Sequence, residues 1–166
     1  MRKHLGAVAF GISALVGTAQ GAAAADMGMI MLPNAKSVQW TAAPASLPIK
    51  AKISLIAGDP GQPGPFTLRL EFPANTIIAP HTHSKLESVT ILSGELYHET
   101  GEKLDKSKGS LLTAGGFISL PAEMAHSLWT VKTTIIQVSG TGPFDLHYIN
   151  PADDPRNDKN DPRNRK

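Results

Sequence analysis

The chain has 166 residues, a length typical of one domain, and it contains no cysteine. The lack of cysteine excludes a disulfide framework, a thiolate metal site and a lipoprotein anchor. The formal charge is +2, but two of the basic residues, Arg2 and Lys3, lie in a segment that we expect to be removed. Without them 14 basic residues remain against 14 acidic ones, so the charge does not indicate nucleic acid or an anionic membrane as a partner.

Residues 1–25 have the pattern of a secretory signal peptide. The two basic residues are followed by an apolar run, Leu5–Val16, and Ala23–Ala25 offers a small-x-small cleavage site before Asp26. An uncleaved membrane anchor is the alternative, but the apolar run is short against the about 20 residues that cross a bilayer. The sequence therefore predicts cleavage near Ala25/Asp26 and a periplasmic or secreted protein without a stable membrane anchor.

After the expected signal peptide, short extended segments alternate with turns. Residues 26–52 have little pattern and predict an N-terminal arm, with one or two short strands around Val38–Trp40 that would cover a sheet edge. A strand is predicted at Ile53–Ala57, and residues 58–65 are dense in glycine and proline, which is typical of a loop. Phe66–Phe72 alternates strictly between apolar and polar side chains, which predicts a half-buried strand.

The remaining predicted elements up to residue 150 are also strands. They lie at residues 76–79, 88–92, 95–100, 117–120, 127–131, 134–139 and 144–149. The polar stretch 101–109 predicts a solvated loop between two of them. Short strands at regular spacing, joined by glycine and proline turns and with almost no helical periodicity, indicate an all-β sandwich or barrel. We assign this domain to residues 53–150.

The composition of the chain becomes strongly polar after Asn150. A four-residue sequence, Asp-Pro-Arg-Asn, occurs at 154–157 and again at 161–164. Almost no apolar side chain follows Pro151, so this segment has little to bury on folding. The sequence therefore predicts that residues 151–166 form a disordered polar tail.

The chemistry of the chain is concentrated around two histidines, His81 and His83. On an extended strand, side chains two residues apart point to the same face, about 6.6 Å apart, so both imidazoles can aim at one point. Glu87 joins them only if the chain folds back through residues 84–86, and the β-branched, apolar composition of Ser88–Leu92 is that of a return strand. Two imidazoles and a carboxylate that converge in this way form a transition-metal ligand set.

Two motifs of the chain resemble those of the cupin family. The first motif, H-x-H-x3-E-x6-G, is matched by His81, His83, Glu87 and Gly94. The second motif, G-x5-P-x-G-x2-H-x3-N, is matched in part, by Gly115, Pro121 and His126. It departs at two positions, with Glu123 in place of a glycine and Thr130 in place of an asparagine. The resemblance covers the region from about Phe66 to Ile149.

The resemblance implies a single jelly-roll β-barrel in which His81, His83, Glu87 and His126 hold one divalent transition metal. Such ligands suit Mn, Fe, Ni, Cu or Zn and do not distinguish among them. The alternative is a barrel in which the same residues form an empty polar cluster, at a desolvation cost on the order of several kcal/mol. Around residues 140–155 the chain further resembles small single-domain exported cupins, a subgroup that implies no particular activity. Cupin barrels often pair, so the resemblance allows a homodimer but does not fix the oligomeric state.

Glu123 is the one candidate catalytic residue outside the ligand set. It stands in the turn that precedes His126, at a position where the family has glycine. One interpretation is an exposed turn residue. The other is a group that orients a ligand or moves a proton for a bound substrate.

Two classes of function fit these residues. The first is a metal-dependent enzyme of oxygenase, isomerase or lyase type that acts on a small polar molecule. The second is a non-catalytic module that binds a metal or a small ligand. The resemblance does not decide between the two classes, because unrelated reactions occur on one fold.

Overall fold

The computed structural model describes residues 28–165, which form two antiparallel β-sheets. The strands are β1 (Thr41–Ala42), β2 (Lys52–Ala57), β3 (Gly64–Phe72), β4 (Ile77–Thr82), β5 (Glu87–Ser93), β6 (Glu95–Thr100), β7 (Ser110–Thr113), β8 (Phe117–Leu120), β9 (His126–Thr130), β10 (Thr134–Gly142) and β11 (His147–Tyr148). The first sheet has the order β1-β2-β3-β10-β5-β8 and the second β11-β4-β9-β6-β7. The predicted all-β architecture is confirmed. The predicted signal peptide, residues 1–25, lies outside the described residues.

The space between the sheets is filled by the apolar faces of their strands. On β3 the four side chains predicted to share a face are all buried, namely Phe66, Leu68, Leu70 and Phe72. They meet side chains of the second sheet, among them Ile78 of β4, Leu96 of β6 and Leu128 of β9. Full burial of such a side chain contributes about 1.5–3 kcal/mol, so this core supplies most of the driving force for folding.

The N-terminal arm extends the first sheet at its edge. Its strand β1 pairs with β2, with Thr41 opposite Ile53, and lies just beyond the predicted position at Val38–Trp40. Beyond β1 the arm turns inward, and Ala43 and Leu47 are buried in the core. Within the described part of the chain, no helix is long and apolar enough to cross a membrane.

The C-terminal tail differs from its prediction. The described residues 151–165 form three short 3-10 turns, Pro151–Asp153, Pro155–Asn157 and Pro162–Asn164. Each turn begins after an Asn or Asp whose side chain accepts a hydrogen bond from a backbone N–H. The expectation of disorder was wrong because it considered only apolar burial. This tail is ordered by its capped proline turns and by arginine side chains that bind backbone carbonyls.

Candidate metal centre

The four predicted ligands come from three strands and one turn. His81 lies on β4, His126 opens β9, and the two are directly paired across the strands. His83 follows β4, and the chain then turns through residues 84–86 so that Glu87 opens β5 in the other sheet. The fold-back that the sequence required for Glu87 is therefore present.

These four side chains converge in the interior of the barrel. All are buried, with exposures of 2% for His81, 4% for His83, 8% for Glu87 and 1% for His126. The three histidines each offer a ring nitrogen within 4.8 Å of the others. The Glu87 Oε2 atom lies 3.5 Å from Nε2 of both His83 and His126. The arrangement presents three nitrogens and one carboxylate to a common point.

Backbone carbonyl groups set the orientation of each imidazole. Nδ1 of His81 donates to the Ala79 carbonyl at 2.8 Å, and Nδ1 of His126 donates to the Met124 carbonyl at 3.0 Å. Nδ1 of His83 donates to the Asp145 carbonyl. Because a carbonyl oxygen only accepts, each Nδ1 carries the proton and each neutral ring keeps a bare Nε2. A hydrogen bond of this kind commonly fixes the tautomer of a metal-ligating histidine.

Two of the three bare nitrogens have no partner within the described protein. Nε2 of His83 and Nε2 of His126 are fully buried without a hydrogen bond. Leaving a buried polar atom unpaired costs about 1–3 kcal/mol. Here two bare lone pairs also face the carboxylate of Glu87, which is unfavourable unless a cation or proton lies between them. The donor set therefore fits a divalent transition metal.

Burial also keeps the cluster ready to bind a cation. Desolvation, followed by the neighbouring imidazoles of His126 and His83, holds the pKa of His81 well below its ordinary value of 6.5. The ring is consequently neutral at neutral pH, and its Nε2 lone pair is available to a metal without prior loss of a proton.

A second layer of residues supports His83. The ring of Phe144 stacks on its imidazole, with centroids 4.5 Å apart. Asp145, whose carbonyl holds Nδ1, also binds the chain just after His83, because its carboxylate accepts the backbone N–H of Ser84 at 2.8 Å. Burial raises the pKa of Asp145, but hydrogen bonds from Ser84 and His147 outweigh it and lower the pKa to about 2. The carboxylate is thus charged and ties this segment to the ligand turn.

A further buried histidine, His98, lies beside the cluster and was not recognised as a site residue from the sequence. It is 7% exposed, and its ring centroid is 5.6 Å from that of His126. Its Nε2 is buried without a hydrogen-bond partner among the described residues. Desolvation and then the nearby His126 lower its pKa. The alternation of inward and outward side chains along β6 could have identified His98 from the sequence, since Leu96 and His98 share the inward face.

A cavity of about 160 Å³ adjoins the cluster. His81, His83 and Glu87 contribute to its wall. Most of the remaining lining is apolar: Leu68, Leu70, Phe72, Ile78, Leu128, Ile136, Val138, Phe144 and Leu146. The N-terminal arm contributes Pro44, Ser46 and Leu47. The cavity therefore offers an apolar chamber beside one cluster of metal-type ligands.

Glu123 occupies the turn before His126 in a glycine-like conformation. Its φ is +62°, and its backbone N–H donates to the His83 carbonyl at 2.8 Å. The side chain is exposed and is not among the residues that line the cavity. The turn thus retains the backbone shape for which the family has glycine, and the catalytic role suggested for Glu123 stays a prediction.

Replacing Glu123 by glycine is expected to raise the stability of the protein slightly, by about 0.5–1 kcal/mol. Glycine adopts a positive φ without the penalty that other residues incur there, and this gain exceeds the added freedom of the unfolded chain. Urea unfolding of the metal-free protein measures the change. If Glu123 acts on a substrate instead, Glu123→Gly retains its metal but loses about a hundredfold in turnover.

Comparison with known proteins defines the fold class. No protein-family model and no curated protein matches the chain. Among solved structures, the polyketide cyclase RemF from Streptomyces resistomycificus is similar over 82% of this chain and 96% of its own, with a TM-score of 0.60 and 16% identity. A putative acetylacetone dioxygenase from Methylibium petroleiphilum PM1 covers 72% of this chain and 81% of its own, with a TM-score of 0.56 and 21% identity.

A third similar structure is described as a cupin. An RmlC-like cupin from Shewanella frigidimarina NCIMB 400 covers 65% of this chain and 86% of its own, with a TM-score of 0.51 and 12% identity. The chain therefore has the cupin fold, and the resemblance to cupins predicted from the two motifs is confirmed at this level.

Proposed function

We propose that this protein is an exported cupin in which His81, His83, Glu87 and His126 bind one divalent transition metal and the adjoining cavity admits a small ligand. The observation that carries the proposal is the pair of buried Nε2 atoms of His83 and His126, which have no hydrogen-bond partner in residues 28–165 and lie 3.5 Å from the carboxylate of Glu87. Such a group is stable when a cation satisfies the three sets of lone pairs together.

The donor set suits Mn, Fe, Ni, Cu or Zn and leaves the choice to geometry and supply. On a metal that prefers six ligands, four protein ligands leave positions open, where the ion would act as a Lewis acid or redox centre for a bound molecule. The protein residues contribute the orientation, through the three Nδ1–carbonyl bonds, and a chamber with few competing polar groups.

The cavity modifies the substrate class expected from the sequence. A small polar molecule was expected, but the wall is apolar apart from the metal-type residues and Ser46. Apolar cavities of about 150 Å³ accept molecules the size of benzene. We therefore favour a ligand with a compact apolar body and one or two oxygen donors at one end. A cyclase and a putative dioxygenase share this fold, so the fold alone does not choose the reaction.

Elemental analysis of the purified mature protein tests the proposal. We expect about one divalent metal per chain after loading and dialysis, and a screen for turnover on the loaded protein then separates an enzyme from a binding module. Loaded protein that retains less than about a tenth of an equivalent of every metal tried would contradict the proposal.

Export is a separate prediction, motivated by the basic start and the Ala23–Ala25 site. Protein recovered from the periplasm or medium is expected to begin at or near Asp26. Intact-mass analysis measures this directly. A chain that retains Met1 and sediments with the membrane fraction would show that the segment is not cleaved.

A further inference from the structure

His98 faces the interior of the barrel next to the metal-type cluster. On β6 it lies opposite Leu128 of β9, whose side chain lines the cavity. The preceding inward residue on β6, Leu96, belongs to the core. The side chain of His98 is therefore on the inner face of the sheet, although His98 is not among the residues that line the cavity and borders a separate pocket beside Glu99 and Lys108.

His98 carries a buried Nε2 atom without a hydrogen-bond partner among the described residues, as His83 and His126 do. The residue as a whole is more than nine-tenths buried. The groups that act on it electrostatically are His126, Glu87 and Glu99. It does not belong to the three nitrogens that lie within 4.8 Å of one another, so it stands back from the point on which they converge.

We propose that His98 hydrogen-bonds the oxygen or nitrogen of a molecule that occupies an open position on the metal. This inference rests on the proposed metal site and deepens it. The ring of His98 lies beside that of His126 but outside the group of three histidines, so it can hold a water or ligand bound next to them without completing the ligand set. His98 would then be a positioning residue for the exogenous ligand.

The experiment uses protein loaded with Co(II) and azide as the probe ligand. Visible absorption of the cobalt reports the ligand environment, and titration with azide gives a Kd. In His98→Ala we expect cobalt content to stay within about twofold of wild type while azide binds about tenfold more weakly, the effect of one lost hydrogen bond. His98→Gln, which keeps a hydrogen-bonding side chain, is expected to recover part of this loss.

Lys103→Ala is the control, because Lys103 lies in the loop that follows β6, is exposed and does not line the cavity. It should bind azide as wild type does. Equal azide affinity in wild type and both His98 variants, at one cobalt per chain, would overturn the role of His98. Loss of cobalt from both variants would also overturn it, since His98 would then be a ligand itself. Failure of wild type to bind cobalt would instead refute the metal site.

A second inference comes independently from the repeated Asp-Pro-Arg-Asn sequence. The two copies fold alike: Asp154 accepts the backbone N–H of Arg156 at 2.9 Å, and Asp161 accepts that of Arg163 at 2.9 Å. Each aspartate also pairs with the guanidinium of its own arginine. The pairing holds each guanidinium in place and leaves N–H groups directed at other parts of the chain.

Both arginines bind segments that line the cavity. Arg156 donates to the carbonyl of Leu146 at 3.2 Å. Arg163 donates to the carbonyls of Pro44 at 3.2 Å and Leu47 at 2.9 Å. All three carbonyls belong to cavity-lining residues. Of the two arginine side chains, Arg163 is less exposed, at 22% against 47%, so we expect its contacts to be the stronger.

We infer that the two repeats are clasps that hold the arm segment 43–47 and the segment around Leu146 closed over the cavity, and so control access to it. The arm has further support from Tyr148, whose hydroxyl donates to the Ser46 carbonyl at 2.9 Å. Opening of the clasp breaks contacts between side chains and backbone carbonyls, and full release of the arm would also uncover Ala43 and Leu47, which are buried in the core.

Hydrogen exchange of the metal-free protein tests the clasp. The amides of Ala43 and Leu47 donate to carbonyls within and next to the arm, so peptides that cover residues 41–50 report its closure. Arg163→Ala is expected to speed their exchange at least tenfold, while peptides from β3 stay unchanged. Lys159→Ala, an exposed position between the repeats, is the control and should match wild type.

The rate at which EDTA removes Co(II) provides the second measurement. We expect removal to be about tenfold faster in Arg163→Ala and in a chain that ends at Asn150. Unchanged exchange in the arm of both variants would overturn the inference. Faster exchange in the arm with an unchanged cobalt removal rate would also overturn it, since the arm would then not control access. The exchange measurement stands even where no metal binds.

Discussion

Replacing Gly94 by alanine is expected to lower the free energy of unfolding by about 3 kcal/mol or more. Gly94 joins β5 to β6 with a φ of +83°, where a side chain is strained. An added Cβ would also lie 2.5 Å from the Thr133 carbonyl oxygen and 2.7 Å from the Thr134 Cα. Because these are backbone atoms of a packed strand connection, they cannot rotate away, so the overlap adds to the strain.

Gly115→Ala is the matched control for this change. Gly115 has nearly the same backbone conformation, with a φ of +87°, but a Cβ there would meet nothing within 4 Å. Its replacement should therefore incur only the conformational penalty, about 1 kcal/mol. Urea unfolding of both variants and wild type, without metal, gives the two losses. Equal losses at Gly94 and Gly115 would show that the close approach to residues 133–134 is relieved at little energetic cost.

The strands could be predicted wherever one face is buried and the other is not. Phe66–Phe72 shows this best, because its alternation of apolar and polar side chains is the direct result of packing on one side only. Strand β7, at Ser110–Thr113, was not predicted, because none of its side chains is fully buried and the burial that creates a pattern is absent. Its position depends on pairing with β6, a contact that local sequence does not encode.

The tail shows where reasoning from apolar burial fails. Residues 151–165 were expected to be disordered, yet Asp161 is 5% exposed and pairs with an arginine that binds the arm. The order comes from polar contacts that join residues about 116 apart in the sequence, as in the bond from Arg163 to Leu47. The repeat was visible in the sequence, but its partners, which are backbone carbonyls, carry no signature in the sequence.

The candidate site also contains residues that the sequence predicted and residues that it did not. His81, His83 and Glu87 lie within one short stretch, so strand geometry alone predicted their convergence once the chain was assumed to turn. His126 came only from the resemblance of the second motif. Asp145 contacts His83 from 62 residues away, and no local spacing could have identified it. The residues of the candidate ligand set were thus accessible to sequence reasoning, whereas the residues that orient them depended on the fold.

Replacing His81 by alanine is expected to weaken metal binding by at least a hundredfold. Loss of an outer-shell partner alone commonly weakens binding 10–100-fold, and a direct ligand contributes more. Titration calorimetry with Co(II) or Mn(II) on dialysed protein measures the affinity. Lys103→Ala is the control, because Lys103 is exposed, lies in the loop after β6 and is not part of the buried group. If His81→Ala and Lys103→Ala retain equal metal, the assignment of the ligand set is wrong.

Thermal unfolding gives a second, independent view of the same change. A metal present at about a thousand times its Kd stabilises the folded chain by about 4 kcal/mol, provided that it does not bind the unfolded chain. Wild type and Lys103→Ala should therefore gain many degrees in Tm on addition of metal, and His81→Ala should gain almost none. Without metal, we expect His81→Ala to be at least as stable as wild type. The substitution removes one of three crowded imidazoles from a buried cluster whose described nitrogens include unpaired ones. A variant that is no less stable than wild type when empty but gains nothing from metal would show that these histidines are retained for binding rather than for folding.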